Sequence, residues 1–312
     1  MATLPNTVVC IATFRRPLGL SRCLDALAEA DLQGVARVIV ADNDAAGQAG
    51  LEACEKYRAA GQPFSLTAIT VAKRGISQVR NALIAEALKD PRVEFIAMID
   101  DDEWPLSGWI QSLLAAQQQT GADIVGGPVE RVFAVPVPAY LKNANLADFS
   151  QMRTGSIDFV DGTCNVLIRA DLFRRREAPW FDPAFDLLGG EDTDLFLALK
   201  LQGAQFAWSS EAIVKEEMPE SRSSARWMLE RAYRIGNTYS LVNRKHRPPG
   251  FGALRETLKI AATTAFVVTN LAVFFWHPTR RFEAARLGAR VLGKMAGLLD
   301  YGHAEYRTVH GR

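Results

Sequence analysis

Cysteine and histidine are scarce, four of each among 312 residues. Cys10, Cys23, Cys54 and Cys164 lie far apart, with no CxxC pair and no neighbouring histidine, so the chain carries no zinc signature and reads as a protein of a reduced setting. "MATLPNTVVCIATF" lacks a basic leader, a long apolar stretch and a small-residue cleavage site, so the body is expected in the cytoplasm. Internal repeats and low-complexity tracts are missing as well. A long apolar run is nearly so. Ile260–Trp276 is uncharged over 17 residues, about 25 Å as a helix against a hydrocarbon core of roughly 30 Å.

What is present is a core-forming composition, 48% apolar and 23% charged, which excludes wholesale disorder. The net charge of +1 hides an asymmetry: residues 222–312 hold 16 Lys and Arg against 5 Asp and Glu, leaving 20 basic and 30 acidic residues before them. An acidic body (1–220) therefore carries a basic, helical C-terminal region (221–312), whose partner should be anionic. Nucleic acid fits poorly, because the long apolar stretch interrupts the basic arm.

Short β-branched runs alternate with helical patterns. "TVVCIATF", a helix over Pro17–Ala30, "ARVIVADN", a helix near 48–60, "FSLTAITV", a helix near 77–89 and "EFIAMID" make a βαβ series, hence an α/β fold with a parallel sheet. Ligands of such sheets bind beyond the carboxyl ends of the strands, where Thr13, Asp42 and Asp100 emerge. After a helix around 106–119, "ADIVGGPVE" reads as one further strand and 131–160 as irregular. "GTCNVLIRADLF" reads as strand then helix, "EDTDLFLALKLQG" as a helix stopped by glycine, and "AQFAWSS" and "EAIVKEE" as short strands.

Two acidic constellations carry chemistry. "FIAMIDDDEWP" ends a buried strand in Asp100, Asp101, Asp102 and Glu103, whose mutual repulsion calls for something positive beside them. Oxygen ligands at a cleft mouth suit Mg²⁺ or Mn²⁺, with positions left for substrate phosphates; a solvated acidic turn is the alternative. "LLGGEDTDLFLALK" opens a helix with Glu191, Asp192 and Asp194 behind Gly189 and Gly190. Such acids complement the helix dipole, and one of them is a candidate general base.

The ordered set "VVCIATFRRP", "VIVADND", "RGISQVRNALIAEAL", "MIDDDEWP", "GTCNVLIRADLF" and "GGEDTDLFLALKLQG" resembles glycosyltransferase family 2, the inverting enzymes of GT-A fold, over roughly residues 5–240. The proline-rich start and "DDDEWP" look most like bacterial exopolysaccharide glycosyltransferases of the succinoglycan type. The resemblance implies a mixed, mostly parallel Rossmann-like sheet and a nucleotide-sugar donor, UDP-linked by expectation. Thr13, Phe14, Arg15, Asp42 and Asn43 would take the base and ribose, with Arg80 and Asn81 approaching the donor. The aspartate motif maps to Asp100, Asp101 and Asp102, the last favoured as metal ligand and the register open by one residue. The base maps to Asp192, with Glu191 as alternative, while Asp161, Gly162 and Asn165 would line sugar and acceptor.

Two departures stand out. Where family members place a metal-binding histidine, "AIVKEEMP" offers Glu216 or Glu217, and where processive synthases carry QxxRW the chain reads "SSARW" with Arg226 and Trp227. Addition of a single sugar is expected, with Arg226 and Trp227 near a polyprenyl-diphosphate-linked saccharide acceptor. The expected place is the cytoplasmic face of a bacterial inner membrane, with Ile260–Trp276 spanning, lying in the plane of, or avoiding the bilayer. Residues 250–312 are expected to contribute no catalytic group. A polyprenyl-phosphate sugar synthase and a non-catalytic sugar-nucleotide- and membrane-binding scaffold are the rival readings.

Overall fold

The apolar strand runs fold as the sequence pattern expects. In the computed structural model, which describes residues 5–30, 32–61, 63–142, 152–246 and 251–299 (without the side chains of 251–255), the first half alternates strand and helix. The order is β1 (Thr7–Thr13), α1 (Pro17–Glu29), β2 (Val35–Asp42), α2 (Ala49–Ala59), β3 (Leu66–Thr70), α3 (Ile76–Ala87) and β4 (Phe95–Asp100). Pro17 starts α1 where its missing N–H is no loss, and Leu20, Cys23, Leu24 and Leu27 form the buried stripe.

The second half holds β5 (Glu103–Pro105), α4 (Trp109–Thr120), β6 (Ile124–Gly126), β7 (Val129–Phe133), α5 (Ala139–Lys142), β8 (Gly155–Ile157), β9 (Val166–Arg169), α6 (Asp171–Arg174), α7 (Glu191–Leu201), β10 (Phe206–Trp208) and β11 (Val214–Met218). Three long helices follow: α8 (Ala225–His246), α9 (Phe251–Val273) and α10 (Pro278–Leu298). The large sheet runs β3-β2-β1-β4-β9-β6-β10-β8, and a small one runs β5-β11-β7. Its first four strands are parallel, whereas β9 runs antiparallel to both β4 and β6, and β8 antiparallel to β10. The sheet is thus mixed and mostly parallel. Apolar residues pack on both of its faces: Val9, Ile11 and Val38 with α1, α2 and α4, and Val8, Cys10 and Ile39 with α3 and α7.

Two expectations change. The strand expected over 122–130 breaks into β6 and β7, which belong to different sheets. Pro128 has no N–H for a ladder, and a Cβ on Gly127 would meet the Ala212 carbonyl oxygen at 2.5 Å and Asn165 Nδ2 at 2.7 Å. The stretch 131–160 includes the end of β7, then α5 and β8, while 143–151 lie outside the described residues.

The C-terminal helices are not an appendage. A Cβ on Gly236 would collide with the Arg290 carbonyl, and one on Gly293 with that of Tyr233, so α8 and α10 meet backbone to backbone. α8 also presses Thr238 against Gly190, immediately before α7. Trp227 is buried with Met218, Leu141, Met228 and Phe282, joining β11, α5, α8 and α10.

Candidate active site

Thr13, Asp42 and Asp100 end neighbouring strands, and the registers Thr13↔Asp42 and Ala12↔Asp100 bring them to one edge of the sheet. Beyond β4 the acidic turn alternates. The Asp101 side chain is 6% exposed, against 39% for Asp100 and 18% for Asp102. Asp101 accepts from Thr13 Oγ1 at 2.7 Å and from Arg16, which makes it part of the wall. Asp100 is the most open of the three, and Asp102 keeps part of its side chain at the surface.

The positive charge that four successive acids require is supplied by arginine. Arg16 Nη1 donates to Asp102 Oδ2 at 2.7 Å, and Arg222 Nη1 donates to the same oxygen at 3.1 Å. Arg80 lies 3.5 Å from Asp100 Oδ1, pairs with Glu191, and lies 3.9 Å from Asp192 Oδ2. Burial still dominates. It pushes Asp101 up to about 7 despite Arg16 and lifts Glu103 well above the carboxylate range, helped by its acidic neighbours. Glu103 also holds the turn, accepting from the Asp100 N–H at 2.9 Å.

Of the carboxylates expected as a third metal ligand, Glu216 is held by arginines, as Asp102 is. Glu216 Oε2 accepts from Arg131 Nε at 3.1 Å, and Glu216 Oε1 lies 3.6 Å from Arg222. Glu217, on the other side of the strand, pairs with Arg22. Among the described residues no three His, Cys, Asp or Glu side chains gather as a metal-holding group. Asp100 and Asp102 remain, a pair of hard oxygen donors at a cleft mouth, which fits a divalent ion whose coordination is completed by phosphate oxygens.

Opposite the turn, Gly190 at φ +91° starts α7, and the next two residues divide sharply. The Glu191 side chain is 1% exposed, and burial pushes its carboxyl up to about 8 against the pull of Arg80. Its Oε2 has no hydrogen-bond partner. The Asp192 side chain is 21% exposed. Its Oδ1 accepts from the Thr193 N–H at 2.6 Å, and Oδ2 faces Gly162, where a Cβ would come within 3.2 Å. Asp161 is raised by burial and by Asp192, against the pull of Arg290 on α10.

On the β1–β2 side two guanidinium groups, Arg15 and Arg74, each lie 5.0 Å from the centre of the Phe14 ring. Arg15 is itself held by a bidentate pair with Asp44. Other expected contacts are spent on the framework. Asp42 is fully buried and accepts from the N–H groups of Asp44 and Gly50, both at 2.8 Å, closing the loop into α2. Asn43 binds the carbonyls of Val71 and Lys73 and the N–H of Gly75. Asn81 is committed to the backbone of Trp180 and Phe181, a helical step away from Arg80. Asn165, at φ +53°, ties Trp109, Pro128 and Ala212 together.

Arg226 is exposed and pairs with Glu230 one turn along, while Trp227 is a core residue with Arg231 5.2 Å over its ring. Neither side chain joins the acids. Arg16, Arg131 and Arg222 do, though no acid-motif pattern flags them. The "RRP" before α1 and the basic excess after residue 221 were the only signals.

Known proteins share this arrangement of chain. A mannosyltransferase from Pyrobaculum calidifontis, solved with GDP-Man and Mn²⁺, superposes with a TM-score of 0.63 at 14% identity, covering 96% of this chain and 88% of that one. Residues 1–349 of TarS from S. aureus, solved with UDP-GlcNAc, match at a TM-score of 0.55 and 16% identity, covering 98% of this chain and 95% of that one. These likenesses identify the fold as GT-A. In sequence, the chain is 32% identical over 305 residues to the succinoglycan biosynthesis protein ExoM of Rhizobium meliloti (strain 1021), covering 93% of this chain and 91% of that protein. The model of the family described as Glycosyl transferase family 2 matches residues 8–176, the part that holds β1, the β2 end and the acidic turn. With more than half of its length matched by that family and nearly all of it aligned to one relative, the chain belongs to glycosyl transferase family 2.

Proposed function

We propose that the protein is an inverting glycosyltransferase that moves one sugar from a nucleotide-sugar donor, UDP-linked, to a lipid-linked saccharide in exopolysaccharide synthesis. The observation that carries this reading is Arg80, which links Asp100 at the end of β4 to Glu191 and Asp192 at the start of α7. A donor-side carboxylate and an acceptor-side carboxylate thereby share one cleft. Support for the setting comes from the likeness to a succinoglycan biosynthesis protein, and support for the donor class from neighbours solved with UDP-GlcNAc and GDP-Man.

Asp192 takes the proton of the attacking hydroxyl, because its carboxylate is open to the cleft while that of Glu191 is sealed. Arg80 keeps Asp192 oriented and does not pair closely enough to quench it, at 3.9 Å. Gly162 leaves space beside Asp192 Oδ2 for an acceptor. Phe14 offers an aromatic ring for a nucleobase, and Arg15 and Arg74 beside it offer charge for phosphate. Asp100 and Asp102 would hold Mg²⁺ or Mn²⁺, which when bound neutralises charge on the departing diphosphate.

The second element of the proposal is location. No helix among the described residues is long and apolar enough to cross a membrane. α9 packs on α10, with Val267 buried, while Leu258, Phe266, Val268, Leu271 and Val273 stay exposed, followed by Phe275 and Trp276. An apolar face on a region carrying 16 basic residues against 5 acidic ones suits an anionic lipid surface in the plane of the interface.

The test is a panel of UDP-, GDP- and TDP-sugars measured for metal-dependent thermal stabilisation and hydrolysis. One donor should raise Tm by several degrees with Mn²⁺ and be slowly hydrolysed. If no nucleotide sugar stabilises the full chain, the donor assignment is wrong; stabilisation without hydrolysis favours a binding scaffold.

A further inference from the structure

One carboxylate oxygen in the cleft is shared by two cations. Asp102 Oδ2 accepts from Arg16 Nη1 at 2.7 Å and from Arg222 Nη1 at 3.1 Å. The two arginines are not held alike. Arg16 stands at the start of α1 and also donates to Asp101 Oδ1 at 3.1 Å, while the other oxygen of Asp101 accepts from Thr13, so Arg16 is built into the wall. Arg222 ends the single turn Glu220–Arg222 between β11 and α8, and the same Nη1 lies 3.6 Å from Glu216 Oε1. Its Nε is buried and carries no hydrogen bond. One nitrogen of this guanidinium thus serves two carboxylates while another serves none.

That arrangement conflicts with the role the cleft gives Asp102. A divalent ion bound by Asp102 and a guanidinium 3.1 Å from an oxygen of that carboxylate are like charges side by side. Both side chains are more than four-fifths buried, so water and salt screen the repulsion little. Either the ion is kept out or the arginine gives way. Giving way needs little motion, since Glu216 on β11 already stands within ion-pair distance. Glu216 alone cannot absorb the charge, because Arg131 Nε already donates to its other oxygen at 3.1 Å. An anion has to arrive with the ion. The donor's diphosphate is such an anion, and a guanidinium fork whose Nε is unspent suits two of its oxygens.

We propose that Arg222 is exchanged between Asp102 and the donor diphosphate: it blocks Asp102 to a free divalent ion and turns to the diphosphate when ion and nucleotide enter together. The inference rests on the nucleotide-sugar reading above and adds to it an order of binding, in which neither the ion nor the nucleotide binds well alone. Arg16 stays in place, since Asp101 remains its partner when Asp102 is engaged. A residue that only braced Asp102 would act otherwise. Its loss would loosen the carboxylate and weaken the ion and the nucleotide together.

The experiment is calorimetry on the full chain in two arms, Mn²⁺ titrated alone and UDP titrated in saturating Mn²⁺. Relative to the parent, Arg222→Ala should bind Mn²⁺ alone about 10-fold more tightly and UDP in Mn²⁺ about 10-fold more weakly, the usual size of one charge-assisted contact. The opposite signs separate exchange from bracing. Arg222→Gln, which keeps a hydrogen-bond donor for Asp102 and loses the charge, should show the same pair of changes and serves where the alanine variant fails to fold. Arg175→Ala, which removes a charge from a surface arginine 3.6 Å from Asp171, should match the parent in both arms. Mn²⁺ affinity that is unchanged or weaker in the folded Arg222 variants, or UDP affinity in Mn²⁺ that is unchanged in them, overturns the proposal. Failure of UDP itself to bind the parent is a different result and overturns the nucleotide-sugar reading.

Discussion

Arg222 reaches Asp102 across 120 residues of sequence, its Nη1 3.1 Å from Asp102 Oδ2 and 3.6 Å from Glu216 Oε1. One guanidinium thereby joins the acidic turn after β4 to β11 and to the start of the C-terminal helices. Both partners are largely buried, so the pair is screened less than a surface bridge. Arg222→Ala should cost about 2–4 kcal/mol, leaving Asp102 to Arg16 and Glu216 to Arg131. Chemical denaturation of the full chain measures this, and a change below about 0.5 kcal/mol would show the contact to be incidental.

Asp192→Asn should leave UDP affinity within about threefold and lower turnover by roughly 10²–10⁴, the range for removing a positioned general base. Asparagine keeps the shape and the bond to the Thr193 N–H while losing basicity. Parental turnover in this variant would exclude Asp192 as the base, and a sealed Glu191 is a poor replacement.

Glu191 makes stability depend on pH in a stated direction. Its folded carboxyl stands at about 8 against an ordinary 4.5, so the native state binds that proton more tightly than the unfolded chain does. The contribution is complete below pH 4.5 and is lost as pH rises through about 8. Tm should fall across that window, and Glu191→Gln should flatten the fall. Asp101, raised to about 7, leaves a residue of it. A pH profile identical in parent and variant would contradict this.

Much of this was legible before any coordinates. Apolar periodicity located β1 to β4 and their helices within a few residues, because buried parallel strands read as continuous runs and amphipathic helices as a repeat. The converging strand ends followed from topology alone. Asp42, Asn43, Asn81 and Asn165 could not be sorted the same way, since a polar residue at a strand or helix end serves a loop or a ligand with the same letter. Their hydrogen bonds to backbone show which loop each one holds. Arginines 16, 131 and 222 were illegible for another reason: the sequence shows how much positive charge exists, and only the tertiary fold shows which carboxylate each one meets.

The glycine seam gives a prediction about the whole C-terminal region. Gly293→Leu would drive a side chain into the Tyr233 carbonyl, so α10 must part from α8. Liposome flotation should then separate two effects. Binding to anionic vesicles should persist through α9 and resist high salt more than a purely electrostatic contact does. Transfer activity should fall at least 10-fold, because a shifted α8 no longer presses Thr238 against Gly190 at the start of α7. Full activity in Gly293→Leu would separate α10 from catalysis.

The central claim is that Asp100 and Asp102 form the donor-diphosphate end of the cleft with a divalent ion. Calorimetric titration of UDP into the full chain, with and without Mn²⁺, tests it most directly when repeated on Asp100→Ala and Asp102→Ala. The account predicts that Mn²⁺ tightens UDP binding by at least about 10-fold and that each substitution abolishes that gain. UDP affinity that is the same with and without Mn²⁺, or a metal effect that survives both substitutions, would contradict it.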